Sequence, residues 1–248
     1  YDQLYEDKNY KREVDYIQRL FTLHSGINVA SLLELGCGTG KHAMLFADRG
    51  YRVLGIDFSE DMIQLAEERK QNLGDRSCAQ RTDFLVQDVR LFSSDRTFDA
   101  VVSLFHVMSY QVNDGDVDAM LTTAYKHLKP GGLFVFDCWY GPAVHGQTLK
   151  TVVKRSDNGV VKVTRISEPL HYPEKHQVSV IFTLFVQDNA TKEIEEIKEV
   201  HSMRYFFDDE LKKFLAGNGF SLVALYDWLT EDKPTQDVWS LCVVAKKD

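Results

Sequence analysis

The chain contains a run from Ser31 to His42, SLLELGCGTGKH, in which an apolar segment is followed by alternating glycines. Residues 31–35 are typical of a buried strand, and the residues after the glycines continue as a helix. Gly36, Gly38 and Gly40 allow the backbone to turn tightly and to approach a ligand without an obstructing Cβ atom. We therefore predict a strand, a ligand-binding turn and a helix N-terminus, where backbone N–H groups would face the ligand.

The glycine spacing and the acid before it indicate the kind of ligand. A dinucleotide fingerprint has the form G-x-G-x-x-G, whereas this loop reads G-x-G-x-G after Glu34. A carboxylate beside the loop repels pyrophosphate and favours a cation, which points to S-adenosylmethionine. The loop resembles the first motif, E/D-x-G-x-G-x-G, of the class I S-adenosylmethionine-dependent methyltransferases. Glu34, Gly36, Gly38 and Gly40 match it position by position, with Cys37 inside it. A glycine loop without a ligand is the alternative.

Acidic residues follow the next two predicted strands. Residues 51–57 read as a buried strand that ends at Asp57, about twenty residues beyond the loop, where Rossmann-like sites place the acid that accepts both ribose hydroxyls. Residues 83–89 read as a third strand with Asp88 near its end. The resemblance implies that Asp88 accepts from the adenine amino group and that the N–H of Val89 contacts the ring edge. A solvated turn aspartate is the alternative.

Two apolar residues follow Asp57. Ser59 can cap the next helix, which directs Met62 back toward the cofactor. The resemblance implies that Met62 packs on the adenine face, and Phe58 is a further cofactor-binding candidate. Methionine also fills gaps in ordinary cores, so a core role for Met62 remains open.

The segment after the fourth predicted strand should line both the cofactor and the acceptor. Residues 98–104 form that strand, and ligands of open parallel sheets bind outside the carboxyl ends at the switch point between the first and fourth strands. Leu104 should contact the cofactor. His106 is the first candidate for a general base, because histidine titrates near neutral pH. The phenols of Tyr5 and Tyr110 are the other catalytic candidates, and His106 could instead be a hydrogen-bonded residue of the wall.

The rest of the chain completes a recognisable α/β pattern. A helix over 117–128 precedes the phrase HLKPGG, which resembles a turn of the same methyltransferases, and a fifth strand covers 133–136. The final strand pair is predicted at 220–228 and 239–245. The resemblance implies a Rossmann-like class I methyltransferase fold: a mostly parallel, seven-stranded sheet with helices on both faces. From 148 to 205 the pattern alternates, and Asn-Gly between β-like runs predicts hairpins and hence an inserted antiparallel β meander.

These patterns divide the chain into four expected parts. They are an N-terminal lid or arm (1–30), the S-adenosylmethionine-binding core (31–144), the β insertion for substrate or dimer contacts (145–205), and a C-terminal helix and strand pair (206–248).

Composition and charge argue against several classes of protein. A net charge of −8 argues against a nucleic-acid partner, which requires a positive face. The four cysteines show no C-x-x-C and no metal-ligand spacing with histidine, so no metal site is expected. No apolar run approaches the ~20 residues of a membrane span, and no signal peptide precedes the first helix. We therefore expect a cytoplasmic protein without a membrane partner.

The acceptor is indicated only by resemblance. The N-terminal arm with Tyr5 and Tyr10, the phrase 102–110, the loop 137–142 and the meander resemble the N-methyltransferases of dTDP-linked amino-deoxysugars. This implies a nucleotide-sugar substrate, a homodimer, and contacts from Tyr5 and Tyr10 to the methionine carboxylate of the cofactor.

The aromatic residues of the loop 137–142 agree with that branch in one respect and differ from it in another. By resemblance, Trp139 and Tyr140 would border the sugar. The run Cys138-Trp139-Tyr140-Gly141 departs from the Pro-Trp-Trp type of that branch, so the acceptor could differ. Another small amine or hydroxyl acceptor and a non-catalytic S-adenosylmethionine-binding protein remain alternatives. A dehydrogenase is disfavoured by the glycine spacing.

Overall fold

The computed structural model describes residues 2–5, 7–74 and 76–248, so Tyr1 and Glu6 of the predicted arm lie outside the described residues. Over these ranges the strands are β1 (Ser31–Leu35), β2 (Arg52–Asp57), β3 (Thr82–Val86), β4 (Phe98–Ser103), β5 (Leu128–Tyr140), β6 (Val152–Asp157), β7 (Val161–Tyr172), β8 (Gln177–Asp188), β9 (Ile194–Phe206), β10 (Phe220–Asp227) and β11 (Ser240–Lys247). The helices are α1 (Tyr10–His24), α2 (Lys41–Asp48), α3 (Glu60–Asn72), α4 (Ser77–Gln80), α5 (Asp114–His127), α6 (Gly141–Gly146) and α7 (Asp208–Gly217).

Seven strands form the central sheet in the order β3-β2-β1-β4-β5-β11-β10. The first five are parallel, and β11 runs antiparallel to both β5 and β10. Because β1 lies between β2 and β4, the connections diverge on either side of it and leave a crevice at the carboxyl ends of these strands. The predicted seven-stranded, Rossmann-like α/β fold is confirmed.

Both faces of the sheet are covered because its strands are apolar on both sides. On β1, Leu32 packs into the cluster formed with α1, α2 and α3, whereas its neighbour Leu33 packs into the cluster formed with α5 and α7. Adjacent residues of a strand point to opposite faces, so an uninterrupted apolar run specifies a sheet sandwiched between helices. No helix within the described ranges has both the length and the apolar character needed to cross a bilayer.

Within the described residues, the N-terminal lid or arm consists of two elements. The helix α1 begins at Tyr10, where the side chain of Asn9 accepts a hydrogen bond from the N–H of Arg12 and caps the first turn. Upstream, Asp2–Tyr5 form a separate 3₁₀ turn. The cap at Asn9 therefore divides the arm into a docked helix and a short strap that crosses toward the meander.

Several predicted boundaries shift by a few residues. The turn at 129–132 is a bulge within β5, because the pairing steps from Phe98 with Leu128 to Ala100 with Leu133. Gly131 has φ +76° there, which glycine tolerates. The third strand ends at Val86, three residues before its predicted end.

The strands β6 to β9 form the predicted antiparallel meander, with β7 paired to β8 over twelve residues and β8 to β9 over eleven. The end of β9 joins the end of β5, where Trp139 pairs with Tyr205. The hydroxyl of fully buried Tyr205 lies 2.9 Å from His145 Nε2 and 3.0 Å from His171 Nε2. This network fixes the meander above the carboxyl edge of the central sheet.

Candidate active site

The carboxyl ends of β1, β2 and β4 border a narrow cavity of about 40 Å³. Its walls are the glycine loop, the start of α2, the segment after β4 and one residue of the arm, namely Tyr10, Gly36, Cys37, Gly38, Thr39, Lys41, His42, Leu104 and Phe105. Five predicted cofactor residues thus share one cavity: Tyr10, Gly36, Cys37, Gly38 and Leu104. A larger surface depression of about 340 Å³ beside α3 and β3 contains none of the predicted site residues.

The three glycines of the loop serve different purposes. A Cβ atom on Gly36 would lie 2.5 Å from a methyl group of Val107, and one on Gly40 would lie 2.7 Å from the ring of Phe84. Both glycines are therefore required for packing. A Cβ atom on Gly38 would meet no protein atom within 4 Å. The backbone at Gly38 consequently faces open space, which is the place for a ligand that approaches the main chain closely.

Asp57 connects the end of β2 to the glycine loop. Its Oδ2 accepts a hydrogen bond from the N–H of Gly38 at 2.9 Å, and its Oδ1 accepts from the N–H of Ser59 at 3.0 Å. The N–H groups of Gly36 and Cys37 both donate to the carbonyl of Ile56. The expectation that loop N–H groups face the ligand therefore does not hold for these three residues. Each oxygen of Asp57 retains a lone pair that could accept a hydroxyl.

The predicted adenine contacts differ in their surroundings. Phe58 has 79% of its side chain exposed and so offers an apolar face, whereas Val89 is buried. Met62 is half-buried and its N–H donates to the Ser59 cap.

The carboxylate of Asp88 is already held by Arg90, with 2.6 Å between Oδ2 and Nη2. The hydrogen bonds from Arg90 outweigh the effect of burial and lower the pKa of Asp88. Arg90 also pairs with Asp116, an arrangement that the sequence analysis missed.

A chain of buried ionisable groups lies beneath the glycine loop. Glu34 is 1% exposed, and its Oε2 has no hydrogen-bond partner among the described residues. Its Oε1 lies 3.6 Å from His42 Nδ1, and His42 Nε2 lies 2.6 Å from Glu13 Oε2. Lys8 Nζ completes the chain at 2.9 Å from Glu13. These contacts connect the arm to the loop through the protein interior.

Burial determines the protonation states of this chain. Burial raises the pKa of Glu34 to about 8, and it lowers the pKa of His42. For Glu13, burial also acts to raise the pKa, but the contacts with His42 and Lys8 outweigh it and the pKa is lowered. Glu13 is therefore the ionised partner of Lys8, while Glu34 is mostly protonated at neutral pH. A cation placed in the cavity would stabilise ionised Glu34.

His106 is held by the buried carboxylate at the end of β5. The backbone N–H of His106 donates to Asp137 Oδ1 at 3.0 Å, and the ring atom Nδ1 lies 2.8 Å from Asp137 Oδ2. The second contact has a charge-pair distance but lacks the direction of a hydrogen bond, since Nδ1 has no hydrogen-bond partner among the described residues. Burial acts to raise the pKa of Asp137, but the nearby imidazole of His106 and the hydrogen bond from the His106 backbone N–H outweigh it and lower that pKa. The Nε2 atom lies 3.3 Å from Ser240 Oγ.

Tyr110 and Tyr5 contact the meander. The hydroxyl of Tyr110 lies 2.8 Å from His201 Nδ1, and His201 Nε2 lies 2.9 Å from Glu199. Tyr110 is about half exposed as a whole, yet loss of solvent around it raises its pKa to about 12, so the phenol is protonated at neutral pH. The ring of Tyr5 packs edge-on against Phe105 at 5.1 Å.

The two aromatic residues expected at the sugar site have different positions. Trp139 packs edge-on to His106, with ring centroids 6.3 Å apart. Tyr140 is 7% exposed and belongs to the core cluster beneath the sheet, so it does not border an open site. The predicted loop is in fact the end of β5 up to Tyr140, and the alternation of a strand directs Tyr140 away from the face that Trp139 presents.

Three polar residues of the site were missed by the sequence analysis. Asp137 had a usable signal, since it lies at the end of a buried strand like Asp57. His201 and Arg165 lie within β strands of the meander, where the alternating pattern does not show which face meets the core. None of the described residues form a cluster of three or more metal-ligating side chains.

Residues 32–132 match the family model described as "Methyltransferase domain". The chain is an S-adenosylmethionine-dependent methyltransferase. One relative of this methyltransferase is the dTDP-3-amino-3,4,6-trideoxy-alpha-D-glucopyranose N,N-dimethyltransferase of Streptomyces venezuelae. The two are 28% identical over 223 residues, which cover 88% of this chain and 87% of the relative.

Solved structures resemble this methyltransferase over almost its whole length. An S-adenosylmethionine-dependent methyltransferase from Clostridium acetobutylicum superimposes with a TM-score of 0.82 at 21% identity, covering 99% of this chain and 95% of that one. An S-adenosylmethionine-bound amino pentose methyltransferase from Micromonospora echinaspora superimposes with a TM-score of 0.75 at 25% identity. The superposition covers 100% of this chain and 98% of that one.

The residues of this methyltransferase fit its cofactor. The open space over Gly38 accommodates a ligand close to the main chain, and the unpartnered Oε2 of Glu34 beneath the loop suits a positively charged group. The carboxylate of Asp57 lies at the strand end where two hydroxyls could be accepted.

Replacing Asp57 with alanine should weaken binding of the demethylated cofactor product about a hundred-fold. Loss of two charge-assisted hydrogen bonds of roughly 1.5–3 kcal/mol each, partly replaced by water, produces a change of this size. Isothermal titration calorimetry measures it. The matched control is Asp61→Ala, which removes an exposed carboxylate from the first turn of α3. Equal affinities of the two variants would contradict the assignment of Asp57.

Cofactor binding should release protons near pH 7. Free Glu34 is mostly protonated there because its pKa is about 8, and the positive charge of the cofactor favours the ionised form, so the carboxyl loses its proton. Affinity should therefore rise between pH 6 and pH 8. Calorimetry in buffers of different ionisation enthalpy measures the released proton. Glu34→Gln should abolish the buffer dependence, and a wild-type protein without such dependence would refute the linkage.

Proposed function

We propose that this methyltransferase transfers a methyl group to the amine of a small-molecule acceptor, namely a nucleotide-linked amino sugar. The observation that carries the proposal is the His106–Asp137 pair, in which His106 directly follows Phe105 of the cofactor cavity and packs against its ring. The similarity to dTDP-amino-sugar N,N-dimethyltransferases supports the acceptor class. In this proposal the arm covers the cofactor and the meander provides the acceptor platform.

The bound cofactor supplies a methyl group that is already activated by its positive sulfur. The protein therefore needs to hold the acceptor, exclude water and accept one proton. Alignment of two reactants can contribute on the order of 7–11 kcal/mol. The arm excludes water from above the loop, because Lys8 Nζ lies 3.7 Å above the ring of Phe105 and Tyr10 packs on His42.

His106 is the proposed acceptor of the proton that the amine loses. Its Nε2 is the nitrogen directed away from Asp137, and the carboxylate of Asp137 stabilises the imidazolium that forms. Tyr110 is less suited to this role, because its raised pKa keeps the proton on the phenol. Its hydrogen bond to His201 instead favours a role in which Tyr110 positions the acceptor.

A homodimer is part of the proposal and rests on the outer face of the meander. Val153, Leu170 and Val200 are each at least 45% exposed, and apolar side chains exposed side by side on one sheet face favour association.

The acceptor proposal is tested by methyl transfer from radiolabelled S-adenosylmethionine. The panel contains a dTDP-linked amino sugar, the same sugar nucleotide with hydroxyl in place of amine, a free amino acid and a polyamine. We expect turnover on the amino sugar nucleotide and none on its hydroxyl analogue. Turnover only on the amino acid or the polyamine would contradict the amino-sugar proposal and assign a small amine as the acceptor. Cofactor binding without turnover on a wider panel would indicate a non-catalytic protein.

Substitution of His106 with asparagine should reduce kcat about a hundred-fold while leaving the affinity for the cofactor product unchanged. General-base groups typically contribute 10²–10⁴-fold, and His106 lies at the acceptor side of the cavity. Steady-state kinetics and calorimetry measure the two effects. Tyr110→Phe is the comparison, since it removes only the hydroxyl bound to His201. If Tyr110→Phe reduced kcat and His106→Asn did not, the roles of the two residues would be exchanged.

A further inference from the structure

Arg165 lies on the face of the meander that is directed toward the central sheet. It pairs with Lys154 on β6 and with Leu184 on β8. Directly opposed residues of a sheet share a face, so Lys154, Arg165 and, two residues along β8, Phe182 lie side by side. The guanidinium lies 4.8 Å from the centre of the Phe182 ring and 5.6 Å from that of Tyr5.

The donors of Arg165 are incompletely satisfied. Its Nη1 donates to the hydroxyl of Tyr5 at 2.9 Å, but its Nε is buried and has no hydrogen-bond partner among the described residues. No described carboxylate lies within 4.0 Å of Arg165. A buried donor without a partner destabilises the protein, and the cost is greater when the donor is charged.

Two other cations of the meander, Lys154 and Arg204, differ from Arg165 because each has a carboxylate partner. Lys154 also lies over Tyr5, but its ammonium is paired with Asp7 at 2.9 Å. Arg204 likewise has an unpartnered Nε, yet it pairs with Asp114 and Glu210. In both cases the positive charge is balanced within the protein. Lys154 already attaches the meander to the arm through its ion pair with Asp7. A second attachment would therefore not require a positive charge at Arg165.

Arg165 is connected through Tyr5 to the residues that line the cofactor cavity. Tyr5 joins it to Phe105, which precedes His106 and lines the cofactor cavity. On its other side, Phe182 packs at 4.8 Å against His201, the partner of Tyr110. An acceptor whose amine approaches His106 would therefore extend along the meander toward the unpaired guanidinium.

We propose that Arg165 binds an oxyanion of the methyl acceptor, a carboxylate or a phosphate, and thereby selects acceptors that carry a negative group beyond the reacting amine. This inference rests on the proposed function. Guanidinium presents several N–H donors in a planar fork that matches both oxyanions. A net charge of −8 repels anions from most of the surface, so a local cation is needed for such an acceptor to bind.

The test is calorimetric titration of the protein loaded with the demethylated cofactor product. The probes are thymidine 5′-diphosphate, inorganic pyrophosphate and acetate at constant ionic strength. Arg165→Gln should weaken the oxyanion that binds to the wild type at least about ten-fold, the effect of one lost charge-assisted interaction. Arg165→Lys should be intermediate, since it keeps the charge and loses the fork. The matched control is Arg155→Gln, which removes an exposed arginine on β6 and should change nothing.

The outcomes separate the two proposals. Binding of the phosphate probes assigns a phosphorylated acceptor, and binding of acetate alone assigns a carboxylate. With the identified acceptor, Arg165→Gln should raise KM and leave kcat nearly unchanged. Unaltered binding of every probe to both Arg165 variants, with cofactor-product affinity intact, would overturn this inference and leave amine methylation standing. Arg165-dependent oxyanion binding without methylation of any amine would overturn the proposed function instead.

Discussion

The hydrogen bond between the Asp57 carboxylate and the N–H of Gly38 fixes the geometry on which the site depends. It joins the end of β2 to the loop after β1, while the carbonyl of Ile56 holds Gly36 and Cys37. The loop is thereby ordered before a ligand arrives, and the space over Gly38 stays open because no side chain projects into it. Such preorganisation lowers the entropic cost of binding. The same carboxylate can hold the loop and also accept a ligand, because each of its oxygens is able to accept more than one hydrogen bond.

The buried ionisable groups under this loop connect cofactor binding to the arm. Glu34, His42 and Glu13 form a continuous chain from the end of β1 to the first turn of α1, and Lys8 terminates it. Removing these groups from water is costly unless each gains a partner. Glu34 lacks a full set of partners and is therefore held mostly protonated. A cationic ligand favours the ionised carboxylate, so the affinity for such a ligand depends on the protonation of Glu34.

Local patterns determine what could be predicted from the sequence. The glycine loop, the strands around it, Asp57 and the hairpins of the meander follow from short-range rules of turn chemistry and periodicity, and the seven-stranded sheet was predicted with the help of a family resemblance. The relations that complete the acceptor side join distant residues: Tyr110 meets His201 across 91 positions, and Tyr5 meets Arg165 across 160. Such contacts depend on how the meander folds over the sheet. The start of α1 after Asn9 was not predicted, because the apolar stripe begins only at Val14 and does not mark the first turn of the helix.

The site divides its charges between two walls. On the side of β1 and β2, the carboxylates of Glu34 and Asp57 suit a cationic, hydroxyl-bearing cofactor. On the side of the meander, Arg165 presents a cation without a described carboxylate partner, with aromatic rings on either side of it. His106 is held by the buried carboxylate of Asp137, which can stabilise the proton that the proposed base takes from the acceptor. If Arg165 binds an oxyanion of the acceptor as proposed, the amine at the other end of that acceptor would lie toward His106 and the cofactor cavity, because the carboxylate of Asp57 would repel the oxyanion.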